Sequence, residues 1–202
     1  YALYKGDPNL QAAHAKMPFI TVWDDHEIAN DTYEDGAENH TPATEGSFAE
    51  RRAAALQAYY EWMPLRQPDA ARPERIYRSF DFGNLASLHM LDTRLIGRDL
   101  QLELTSYIGA NGAFDAAKFT ADISNPAREL LGAEQNTWLQ SQLSASTATW
   151  QVLGQQVLMG RMNLPSPILL QQITVSGYGA LVAKAQATPA LLTDAEKATL
   201  AA

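Results

Sequence analysis

The chain predicts an α/β protein in which strands separated by helices pack as a layered sheet. Three observations carry that expectation. Apolar runs at residues 19–23, 85–92 and 150–154 have the length and composition of strands. Capped helical segments lie between them. The hydrophobic share, 46% of 202 residues, is enough for a real core.

The elements follow in order. Asp7-Pro8 reads as an N-cap with Pro at the first helical position, opening a helix to about Lys16. No strand precedes Gly6-Asp7, so Asp7 is expected to cap and not to ligate. Pro18-Phe19-Ile20-Thr21-Val22 reads as a buried strand continuing to Trp23. Residues 30–44 form a polar loop. Its Asp31-Thr32-Tyr33-Glu34-Asp35-Gly36 partly mimics an EF-hand, but Tyr33 takes a ligand position and Pro42 stands where the closing Glu belongs. Ser47-Phe48-Ala49-Glu50 is a capping box for a helix to about Trp62, stopped by Pro64. Arg51 and Arg52 read as solvated charges on it. Residues 75–80 and 85–92 read as a strand pair joined through 81–84, with His89 a packed core histidine. Residues 100–128 read as a surface excursion. A helix over 132–143 precedes a buried strand at 150–154, and an Ala-rich tail from about Leu181 has helical composition.

Composition excludes several classes. A formal net charge of −8 with no basic stripe argues against nucleic acid as the main partner. No apolar run reaches the roughly 20 residues of a membrane span. With no cysteine there is neither a disulfide framework nor a thiolate metal site.

The chemistry concentrates in Trp23-Asp24-Asp25-His26-Glu27. Carboxylates and an imidazole stand at the C-terminal end of a predicted strand, the edge where α/β folds gather ligands. Such donors suit a divalent or trivalent metal. The competing reading is a solvated acidic loop with His26 hydrogen-bonded structurally. Arg94, closing Leu91-Asp92-Thr93-Arg94, falls near a sheet edge and has the fork geometry for phosphate oxygens. The alternative there is a structural ion pair, Asp92 with Arg94 or Asp99 with Arg98.

Six blocks, in order, resemble the PhoD-type alkaline phosphatases of the calcineurin-like metallophosphoesterases. They are Pro18-Phe19-Ile20 with Trp23-Asp24-Asp25-His26-Glu27 and Asn30; 58–66, Ala-Tyr-Tyr-Glu-Trp-Met-Pro-Leu-Arg; 76–83, Ile-Tyr-Arg-Ser-Phe-Asp-Phe-Gly; Leu91-Asp92-Thr93-Arg94 with Arg98-Asp99; 131–135 with Trp138-Leu139; and 149–157. The resemblance treats 1–202 as one partial domain and is clearest over 1–160. It implies a four-layer sandwich of two mixed sheets flanked by helices, and hydrolysis of phosphate monoesters, and often diesters, at alkaline pH. It implies iron with calcium, a small phosphorylated substrate, and export in bacteria, hence a periplasmic or secreted place. Against the superfamily's Gly-Asn-His-Asp/Glu motif, Asp25 takes the Asn position and His26 the His position. Asp25 is then the first metal-ligand candidate, Asp24 the second, and Asn30 offers an amide oxygen. His26 and Arg94 are the candidate catalytic residues.

The family's Gly-Asp-x-x-Tyr and Gly-Asp-x-His motifs are absent, as is its Cys ligand. The expectation is an internal segment of a longer protein, weak or inactive alone. The alternative is a degenerate, metal-free binding or scaffold domain of the same fold.

Overall fold

A computed structural model describes residues 1–160 and 164–201. In chain order the elements are α1 (Ala2–Lys5), α2 (Pro8–Lys16), α3 (Pro42–Glu45), α4 (Phe48–Trp62), β1 (Arg78–Phe82), β2 (Ala86–Met90), α5 (Ala116–Ile123), α6 (Gly132–Ala145), β3 (Trp150–Gly154), α7 (Ser166–Leu169), α8 (Val175–Ala187) and α9 (Asp194–Ala201). They fall into two compact units, residues 1–101 with 126–158, and residues 102–125 with 159–202.

The first unit holds a mixed sheet in the order β1-β2-β3. β1 and β2 are antiparallel, Arg78 opposite Met90 and Phe82 opposite Ala86. β3 runs parallel to β2, Ala86 opposite Trp150 and Met90 opposite Gly154. The α/β class and the mixed sheet are thus present. Among the described residues there is one sheet, where the resemblance implies two. Tyr77 and His89 both meet the Trp138 ring, which packs α6 against the sheet.

Local chemistry sets the helix starts. The Asp7 carboxylate accepts from the Asn9 and Leu10 N–H groups, both at 2.9 Å, so Asp7 is a cap as expected. Ser47 and Glu50 close a capping box on α4, which buries Phe48, Leu56 and Tyr59. Those side chains join Trp23, Ile28, Ile76 and Leu95 in the core. Arg51 and Arg52 are not merely solvated: Arg51 donates to the Ile28 carbonyl and Arg52 to that of Glu34, tying the 28–34 loop to α4.

Three strand expectations need correction. Residues 19–23 form no strand. Their carbonyls find side-chain donors instead of a ladder: Arg78 donates to Thr21 O and Gln156 to Trp23 O. An apolar, β-branched run fits a sheet, but pairing depends on a free edge elsewhere in the chain. Burial is confined to Trp23, while Phe19 is 40% exposed. The hairpin is shifted by about two residues, because Asp81 and Phe82 continue β1 and the chain turns at Gly83, with φ +59°. Ser87 rewards that register with a hydrogen bond to Asp81, its cross-strand partner. Finally, β3 is a strand but not a buried one. It lies at the sheet edge with Trp150 64% exposed and Val152 45% exposed.

His89 is the core histidine expected, 1% exposed, with Ser79 on Nδ1 and Gln151 on Nε2. In the second unit, residues 104–125 are mostly exposed, in line with a surface excursion, and carry a ring cluster of their own: Tyr107, Phe114 and Phe119 meet beside α5. The Ala-rich tail is helical, as α8 and α9.

Candidate active site

The acidic run builds its own turn. The Glu27 carboxylate accepts the Asp24 N–H at 2.7 Å and the Asp24 carboxylate accepts the Asp25 N–H at 2.9 Å, closing a 3₁₀ turn over Asp25–Glu27. The turn drives Asp25 inward, to 7% exposure, and leaves Asp24 and His26 facing solvent. Glu27 is therefore spent on the backbone and does not orient His26. Asn30 does that: its side-chain oxygen accepts from His26 Nε2 at 2.8 Å, while its amide donates to Glu38.

Asp31 completes the turn from the other side. It sits in the left-handed region, φ +49°, and so aims its N–H at Asp25 Oδ2, at 2.7 Å. Burial pushes the Asp25 carboxyl up. The Asp31 N–H, the Arg94 guanidinium and His26 outweigh that, and its pKa lies below the ordinary value. The Asn30 hydrogen bond and then the Asp25 charge raise the His26 pKa.

Arg94 lies in the bend that follows β2. The chain there is held by two distant glutamines. Gln135 of α6 pairs with the Asp92 backbone through both ends of its amide, accepting its N–H and donating to its carbonyl. Gln156 accepts from Thr93 N–H and Oγ1 and donates to the carbonyls of Leu91 and Trp23. Asp92 does not pair with the Arg94 guanidinium. It caps the bend, accepting the N–H groups of Arg94 and Leu95 at 2.7 and 2.9 Å. Burial pushes Asp92 up to about 6, opposed by those hydrogen bonds and the Trp23 indole. Gly97 and Gly132 let the next loop lie on the start of α6: a Cβ on Gly132 would stand 2.3 Å from the Ile96 carbonyl oxygen.

The result is a convergence of charge. Arg94 Nε donates to Asp24 at 2.8 Å, Nη2 lies 3.6 Å from Asp25, and Nη1 lies 3.6 Å from Asp31. Arg98 joins them, its pKa lowered by burial and by the Arg94 charge. Two cationic donors in this cluster, Arg94 Nη1 and Arg98 Nε, are buried and make no hydrogen bond among the described residues. Buried cationic donors without a hydrogen bond favour an acceptor-rich anion, even though Arg94 Nη1 already lies in an ion pair with Asp31.

The structure thus brings Asp24, Asp25, His26, Asn30 and Arg94 together from segments nearly seventy residues apart in sequence. Asp31 and Arg98 were not singled out from sequence. Asp31 was read only against a calcium loop, and Arg98 only as one half of a pair with Asp99, whose carboxylate instead accepts the Glu129 N–H. The cluster does not form a closed metal centre. Among the described residues no three His, Cys, Asp or Glu converge to hold an ion, and the centre of the carboxylates is filled by a guanidinium.

Fold and site together define an α/β protein with an arginine-and-carboxylate cluster at the C-terminal edge of its sheet. The chain belongs to the PhoD-like phosphatase family, whose model matches residues 1–197. It is 45% identical over 166 residues to alkaline phosphatase D of Bacillus subtilis (strain 168), a match covering 81% of this chain and 26% of that protein. A solved structure of PhoD matches with a TM-score of 0.62 at 41% identity, over 80% of this chain and 29% of the other. The chain therefore spans about a quarter of the curated relative's length. Among the described residues no helix is long and apolar enough to cross a membrane.

Proposed function

We propose that the protein is a phosphoester hydrolase acting on small phosphorylated substrates, phosphate monoesters and also diesters, at alkaline pH. The observation that carries the reading is the pair of buried arginines, Arg94 and Arg98, close to Asp25, each with a buried donor nitrogen that makes no hydrogen bond among the described residues. Phosphoryl transfer needs positioned positive charge more than covalent help. Arg94 and Arg98 receive the phosphoryl oxygens. Water oxygen bonds to phosphorus as the P–O bond to the alcohol breaks, and the leaving oxygen takes a proton. His26 delivers it, its raised pKa extending the protonated form toward alkaline pH.

Iron with calcium belongs to the same proposal and rests on the resemblance and on the oxygen chemistry of the donors. Such metals neutralise phosphoryl charge and activate water when bound. Asp25 first, then Asp24 and Asn30, are this chain's residues to hold them. They would offer only part of a cation site, so metal binding would need donors beyond this cluster. A periplasmic or secreted place is likewise proposed by resemblance.

The test uses the full chain with p-nitrophenyl phosphate and bis(p-nitrophenyl) phosphate, with iron and calcium added or chelated, and with Arg94→Lys and Asp25→Asn. Either substitution lowers kcat/KM by roughly 100-fold, a loss of two charge-assisted contacts, with the thermal midpoint monitored in parallel. Unchanged kcat/KM in both would sink the reading. A second reading, a metal-free binding domain of the same fold, is favoured by the guanidinium among the carboxylates. It expects Arg94-dependent binding of inorganic phosphate with no turnover under any metal.

A further inference from the structure

His26 also borders a cavity of 480 Å³ on its other side, walled by α1, α2 and the 19–27 segment. We infer that this cavity is a subsite for an aromatic or heteroaromatic leaving group, its ester oxygen held toward His26. The inference rests on the phosphoester reading above.

The walls carry the argument. Tyr1, Tyr4 and Phe19 contribute rings and Met63 a thioether. His14 lies on Phe19 with ring centroids 4.2 Å apart, and Lys5 Nζ sits 3.0 Å from His14 Nε2. The Tyr1 ring is itself backed by Trp62, stacked at 9°. A cavity within the range of about 300–1,000 Å³, mostly apolar with a few polar groups, suits a small organic moiety. A polyol such as glycerol or a sugar would bring hydroxyls that find few partners here. An alkyl chain would gain burial but not the ring-to-ring geometry. The Lys5–His14 pair gives one end of a flat ring a hydrogen-bonding neighbour, which suits a ring carrying a heteroatom or hydroxyl.

Position strengthens the case. His26 is shared between the cavity and the charged cluster, since its Nε2 lies 3.9 Å from Asp25 Oδ2 and Arg94 Nη2 lies 3.6 Å from Asp25 Oδ1. His26, on the cavity wall, also lies beside Asp25 of the charged cluster, so an ester that spans from the arginines past His26 would carry its substituent toward the aromatic wall. Glu27, also on the wall, is spent on the Asp24 N–H.

The experiment is a calorimetric titration of the full chain with phenyl phosphate, glycerol phosphate, inorganic phosphate and phenol. It is repeated with Phe19→Ala, Tyr4→Ala and Arg94→Lys. Phe19 and Tyr4 are 40% and 74% exposed, so their loss does not breach the core, and thermal midpoints verify it. Phenyl phosphate should bind about tenfold tighter than glycerol phosphate, and Phe19→Ala should bring the two within about threefold. Arg94→Lys should weaken all three phosphates alike and leave phenol untouched. Equal affinity for phenyl and glycerol phosphate, or a preference that survives both ring substitutions, overturns the subsite. A ring preference that Phe19→Ala abolishes, with no effect of Arg94→Lys on any phosphate, keeps the aromatic cavity and overturns the phosphoester reading instead.

Discussion

Two segments meet at Arg94, and they are held by opposite means. Residues 91–95 are buried throughout, and their polar groups are tied by glutamines from α6 and from the chain beyond β3. The turn over Asp25–Glu27 alternates between core and solvent, and apart from the contacts to Arg94 the hydrogen bonds that shape it run to neighbours a few residues away. The first segment is rigid because many distant groups fix it. The second is cheap to form and leaves its reactive atoms outward. A site of this kind divides positioning from reaction between two pieces of backbone.

Breaking the rigid segment should cost most. Gly132→Ala forces a Cβ against the Ile96 carbonyl at a residue with φ +71°, and the loop carrying Arg98 must move. The expected loss is about 3 kcal/mol in urea unfolding. A loss below about 1 kcal/mol would show that the close approach is not what holds this loop.

Gln156→Ala should come next. It strands the Thr93 N–H and two carbonyls, one of them on Trp23 beside the turn. A destabilisation of about 2–3 kcal/mol is expected, from unsatisfied buried groups. Amide exchange should rise at both residues 91–95 and 23–27. Exchange rising at only one of them would mean that the two segments are not coupled through this side chain.

Asp92 allows the comparison to be read as a pH profile. Its folded pKa of about 6 lies above the ordinary value of 3.8, so the folded state holds the proton more tightly. Its contribution is therefore full below about pH 4 and is lost as pH rises through 6. The stability difference between the protein and Asp92→Asn should shift by about 3 kcal/mol across that window and then stay flat. The new amide facing the Trp23 indole adds only an offset without pH dependence. A difference that is constant from pH 4 to 7 would contradict the raised pKa.

The smallest effect belongs to the turn. Asn30→Ala removes the main cause of the raised His26 pKa, so the imidazole should titrate lower by NMR. The sign for stability follows: the contribution of charged His26 is present below its ordinary pKa and is lost as pH rises through the raised one. No change in the His26 midpoint would leave the neighbouring carboxylates, Asp25 first, as the cause.

The contrast also explains what could be read from the residues alone. Helix starts at Asp7 and Ser47 and the clustering of polar donors over the 24–30 run were legible, because caps and turns are made by side chains within a few positions of the backbone they serve. The strand expected at 19–23 was not realised, because its hydrogen-bond partners are Arg78 and Gln156 and no pattern within the run names them. The exposure of β3 was equally hidden, since an apolar strand has the same composition at an edge as in the middle of a sheet.

The sequence by itself determined the α/β class, the helix caps, the acidic run and the family, all written in short-range spacing or in whole motifs. Only the tertiary structure decided that Arg94 reaches Asp24, Asp25 and Asp31 together, that Arg98 stands beside it, and that Gln135 and Gln156 fix the bend. The Gln135 and Gln156 contacts to Asp92 and Trp23 join residues 43 and 133 positions apart. Such contacts depend on which chain ends the fold brings together, and a carboxylate or amide carries no local mark of the distant backbone it will bind.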